Sequence, residues 1–220
     1  MAHSPSSLRD RVLAAAAATP SITRPQGHRI AVALVAASIA IGVTVFEAIG
    51  GLGHSSGRPI GMTLALAGGW VLVSLALTWL LIGRGSSTLA RRSTVLVTAA
   101  LASPLAVFLW MHVFYGTYPE PFARVGYRCL AYTLLIAATP LAAFLALRRA
   151  VEPRHPGALG AVAGAACAAW AGALVDLWCP LTNPLHVLVG HVAPLVVAIL
   201  AGAVAGRWTL GVRWIGRGPE

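Results

Sequence analysis

Gly157 to Cys179 reads GALGAVAGAACAAWAGALVDLWC, an apolar and small-residue run that carries a single carboxylate, Asp176. No alternation of polar and apolar residues passes through it, which argues against a barrel strand. Its length suits a helix crossing a hydrocarbon core about 30 Å thick. Lipid leaves backbone amides no water to bond to, and a helix satisfies them within one segment. Working outward, five more runs have this character: Ile30 to Gly51, Gly61 to Ile82, Ser93 to Tyr115, Val125 to Leu147 and His186 to Ala205. Over the 220 residues, 58% are hydrophobic and 10% charged, against about 25% charged in soluble domains. The expected fold class is all-α: a polytopic membrane protein built as a six-helix transmembrane bundle.

The direction of that bundle is legible in its cations. All 16 basic residues are Arg. Thirteen of them fall in the leader, the second and fourth loops and the tail, whereas Arg58, Arg124 and Arg128 alone fall on the opposite side. Positive charge in short loops marks the cytoplasmic face. The reading is therefore N-in/C-in, with residues 1–29 a cytoplasmic leader, 30–206 the transmembrane domain and 207–220 a cytoplasmic tail. It also explains the net charge of +10 without a direct nucleic-acid partner; the lipid bilayer is the surface these arginines meet. The Ala14 to Ala18 run is too short and weakly apolar for a secretory core, so the first span is expected to stay uncleaved. Gly160 with Gly164, and Gly202 with Gly206, are small-xxx-small pairs suited to close helix approach in lipid. Pro104, Pro140 and Pro194 predict kinks inside three spans.

In the leader, Ser7 and Asp10 fit a capping box, and Leu8, Val12 and Ala16 share one face with Leu13 beside them. A helix of about eleven residues ending at Pro20 is marginal alone in water. It either folds into a partner groove or lies on the membrane with Arg9 and Arg11 near headgroups. At the outer ends of the spans, Cys129, Cys179, His186 and His191 gather with His112, Tyr115 and Asp176. Thiol, imidazole and carboxylate are the ligands of borderline metals. A structural disulfide or two free thiols is one reading, and a redox- or metal-sensing site is the other; the metal is unassigned. An ionisable group within a span is expensive, so Asp176 should face the bundle and pair with Arg128, a histidine or a cation. Glu47 is placed to meet Arg58 or the same cluster. His186 and His191 are five apart and are expected on different helix faces, which argues against haem. Cys167 reads as a packing residue. No nucleophile–base constellation or phosphate loop points to an enzyme, and no cofactor is expected.

Arg128-Cys129-Leu130, then Pro140, the Arg148-Arg149 loop, the fifth span ending Cys179-Pro180, His186, Pro194 and a Gly-Arg tail together resemble the NrsF-type family of bacterial membrane anti-sigma factors. The leader, Leu8 to Leu13 followed by Thr19-Pro20-Ser21, looks like the sigma-facing N-terminus of myxobacterial members. The resemblance implies a multi-pass inner-membrane protein that sequesters an extracytoplasmic-function sigma factor through Leu8, Arg9, Arg11, Val12 and Leu13. It implies release on a stress, light or redox signal, with Cys129 and Cys179 as sensors; the reading of the residues themselves adds Asp176 and His186 as sensor candidates. Where the family carries acidic residues after the second cysteine, this chain reads Pro180-Leu181-Thr182-Asn183-Pro184. Two other classes compete: a small transporter or channel subunit using Asp176, Glu47 and the kinked spans, and a haem- or quinone-binding redox subunit.

Overall fold

A computed structural model describes residues 24–48, 50, 57–82, 89–121, 123–148 and 155–210. The leader residues Leu8, Arg9, Arg11, Val12 and Leu13, and most of the tail, lie outside the described residues. Among those described, every regular element is helical: α1 (Arg24–Ala48), α2 (Ile60–Ile82), α3 (Leu89–His112), α4 (Tyr127–Arg148), α5 (Pro156–Trp178) and α6 (Pro184–Leu210). The helices α2 to α6 are each long and apolar enough to cross a membrane, and α1 contributes a shorter apolar stretch, Ala36–Ala48. The bounds agree with the hydropathy reading to within six residues, the largest difference being the start of α1 at Arg24.

The helix α5 is the hub. About 72% of its apolar window is buried, against 22% for α4, and it packs on α1, α2, α3, α4 and α6. Its most extensive contact is with α6, and the glycine pairs explain why. A Cβ on Gly160 would overlap the Gly202 carbonyl, and one on Gly164 would overlap the Ala198 carbonyl. Gly202 in turn faces the Gly160 carbonyl, and Gly206 faces that of Pro156. The two expected motifs therefore meet each other, backbone against backbone. Alanines fill the remainder of α5, so neighbouring helices also come close: Gly172 receives the Trp70 ring of α2.

Large side chains elsewhere point away from the protein. Ile60, Leu64, Leu72 and Leu75 of α2, Leu101, Leu105 and Leu109 of α3, and Leu200 of α6 are all exposed, a surface that water does not favour and lipid does. Trp79 and Trp208, 77% and 78% exposed, lie near the C-terminal ends of α2 and α6. Tyr115 and Tyr127 lie at the other end of the bundle. Aromatic rings at both levels are the expected interfacial belts.

The prolines are accommodated locally. Pro104 has no N–H for the Ala100 carbonyl four residues back, and the Ser103 hydroxyl donates to that carbonyl instead at 2.8 Å. Thr139 does the same for Ile136 ahead of Pro140, at 3.4 Å. At Pro194 the backbone takes another course: α6 opens into a π-turn over Leu188–Val192.

If the α5–α6 backbone contact holds the bundle, Gly164→Leu should cost at least about 3 kcal/mol through overpacking. Gly68→Ala, where a Cβ meets nothing within 4 Å, should be neutral or stabilise by up to about 1 kcal/mol. Thermal unfolding of both variants in detergent checks the contrast.

Candidate functional site

The connections at one end of the bundle bring the chemistry together. Glu120, between α3 and α4, accepts from the Thr182 amide at 2.6 Å and the Thr182 hydroxyl at 2.9 Å. This ties the α3–α4 connection to the α5–α6 turn. Asn183 caps the start of α6 by accepting from the Leu185 amide at 3.1 Å, and Pro184 at the first helical position is preset for the turn. Gly126, at φ +91°, lets the entry to α4 sit against the backbone of Gly190 and the carbonyl of His186. A side chain there would be both strained and blocked.

These contacts deliver Cys129 at the start of α4, Cys179 at the end of α5, and His186 and His191 in the first turns of α6. All four are buried, and their ligand atoms lie within 4.8 Å of one another. His186 Nε2 lies 3.1 Å from Cys179 Sγ and 3.6 Å from Cys129 Sγ. His186 Nδ1 lies 2.8 Å from the Arg124 carbonyl. A carbonyl only accepts, so Nδ1 carries the proton and Nε2 presents a lone pair to the two thiols. Both cysteines are free thiols. A cavity of about 650 Å³ opens onto the cluster between Tyr132, Trp178 and Arg128.

The histidines depart from the helical expectation. Residues five apart on an α-helix diverge, yet the rings of His186 and His191 are 5.5 Å apart. The π-turn over Leu188–Val192 is the reason. The Ala193 amide bonds the Leu188 carbonyl, five residues back, which widens the turn and brings positions 186 and 191 to one side. The signal available in the sequence was Pro194 four residues after Gly190, a place where the α-helical bond is lost. His191 also stands 6.0 Å from the Trp70 ring. His112 and Tyr115 stay apart from the cluster and stack on one another at 5.9 Å.

Asp176 faces the bundle as expected, and its partner is Arg58 from the segment before α2 rather than Arg128. The two side chains are fully buried with N···O 3.4 Å. Arg58 also donates to the Asp176 carbonyl and, through Nε, to the Thr63 hydroxyl at 3.0 Å. Nearby Tyr118 is no competing anion, since burial pushes its phenol up to about 12. Glu47 is exposed on α1 and takes no part. Both carboxylates offered to a transport path are thus accounted for, one sealed in a pair and one outside. Truncating one partner of a buried pair leaves an uncompensated charge, so Arg58→Ala or Asp176→Ala should cost about 3–5 kcal/mol. The double change Arg58→Met/Asp176→Leu should recover most of it, as read by unfolding midpoints in detergent.

No curated protein and no solved structure gives a match to the chain. The family NrsF, described as "Negative regulator of sigma F", matches residues 13–214. That span takes in all six helices and each of the cysteines and histidines of the cluster. On a match over nearly its whole length, this chain belongs to the NrsF family of negative regulators of a sigma factor.

Proposed function

We propose that the chain is an inner-membrane anti-sigma factor. It holds an extracytoplasmic-function sigma factor at the cytoplasmic face through its leader and releases it on a stress, light or redox signal. The observation that carries this reading is the family match over residues 13–214. The arginine asymmetry supports a six-span, N-in/C-in arrangement, which puts Leu8, Arg9, Arg11, Val12 and Leu13 beside cytoplasmic partners and the Cys129–Cys179 cluster on the opposite face. The leader helix, too short to be stable alone, gains its order by docking its Leu8–Val12–Leu13 stripe into the sigma factor. A restraint of this kind needs no catalytic residue.

Deleting residues 1–20 should free the sigma factor while the protein still inserts. Transcription from its target promoter then rises to the level of a strain lacking this chain, and the sigma factor leaves the membrane fraction. Continued retention by the truncated protein would overturn the leader assignment. Orientation has its own test. Ser86→Cys should react with an impermeant maleimide only in inside-out vesicles, and Ser55→Cys only in intact spheroplasts. The reverse pattern would overturn N-in/C-in.

A further inference from the structure

We propose that Cys129, Cys179, His186 and His191 form a tetrahedral binding site for a closed-shell, thiophilic divalent cation, with zinc the best fit. The proposal concerns metal binding and stands independently of the regulatory reading.

The donor geometry comes first. Zinc bonds of about 2.3 Å to sulfur and 2.0–2.1 Å to nitrogen define a tetrahedron whose edges are roughly 3.3–3.8 Å. The edges from His186 Nε2 to the two sulfurs are 3.1 and 3.6 Å. No edge of the cluster exceeds 4.8 Å, so the remaining donors close on a cation by a small contraction of side chains.

The protonation pattern agrees. A metal-ligating imidazole characteristically donates its other N–H to a carbonyl or carboxylate. His186 does so toward the Arg124 carbonyl, which leaves Nε2 free for a metal. His191 is an independent indication. It is fully buried, and neither ring nitrogen has a hydrogen-bond partner. An orphaned buried donor or acceptor is costly, and a cation at the centre of the cluster would engage the nitrogen turned toward it. The π-turn exists where it must for this purpose, since an α-helical register would carry His191 away from His186.

Charge selects the cation class. The Arg58–Asp176 pair beside the cluster is already neutral as a unit. A buried site therefore tolerates a dication only if the ligands cancel its charge. Two cysteines do so on binding: each thiol gives up one proton, two protons leave, and the resulting two thiolates with two neutral imidazoles make a neutral complex. The sulfur and imidazole donors favour zinc over calcium or magnesium, which require oxygen. The cavity beside Tyr132 and Trp178 provides the way in.

The test uses the full chain in detergent, stripped with chelator and titrated with Co²⁺. Expected are one cobalt per chain, the intense visible bands of tetrahedral cobalt, thiolate-to-cobalt charge transfer, and displacement by equimolar Zn²⁺. Cys129→Ser and His191→Ala should each weaken binding at least tenfold and change the cobalt spectrum. Cys167→Ala, which alters a thiol outside the cluster, should bind as the parent does. Zinc should also raise the unfolding midpoint of the parent and of Cys167→Ala but not of Cys129→Ser. If Cys129→Ser fails to fold, His191→Asn, which keeps a polar group of smaller reach, supplies the same comparison. Absence of tetrahedral bands in the parent, or undiminished affinity in both histidine variants, would overturn the four-ligand site.

Discussion

The backbone contact between α5 and α6 is the constraint on which the rest of the molecule depends. Lipid tails are as apolar as leucine, so no hydrophobic force drives helices together within a bilayer. Association then relies on close van der Waals packing, and only glycine lets two backbones approach as Gly160 and Gly164 approach Gly202, Ala198 and Gly206. Once α5 and α6 are fixed as an antiparallel pair, the turn between them is fixed as well. That turn holds Cys179, Thr182 and His186, so the geometry of the cluster descends from a contact between glycines at the far end of the same two helices.

The polar end of the bundle is the complement of this apolar packing. Three links cross between connections there: Glu120 to Thr182, Arg58 to Asp176, and His186 to the Arg124 carbonyl. Each satisfies groups that would otherwise be buried at a cost, and together they set α2, α4, α5 and α6 in register around the two thiols. His191 departs from this pattern as a buried imidazole whose ring nitrogens have no hydrogen-bond partner.

The end bearing Cys129, Cys179, His186 and His191 is held by helix starts and ends. The cluster joins the start of α4 to the α5–α6 turn, and α1 packs on α4 and α5.

Much of this was legible in the sequence because the solvent does the sorting. The five long apolar helices, their approximate bounds and the glycine pairs follow from apolar run length and residue size, which are local properties read against a slab of known thickness. The prominence of Cys129, Cys179, Asp176 and His186 followed from the scarcity of polar groups in spans. Which groups meet was not legible. Asp176 found Arg58 rather than Arg128, because pairing depends on how α2 is seated against α5 and not on proximity along the chain. His191 joined His186 because a π-turn before Pro194 changes the helical register, and the α-helical repeat of 3.6 residues had placed it on another face. The sequence alone thus determined the solvent, the elements and the inventory of reactive groups. Only the tertiary structure decided their partners, since partnership is settled by helix contacts that are non-local and by one backbone irregularity that periodicity does not carry.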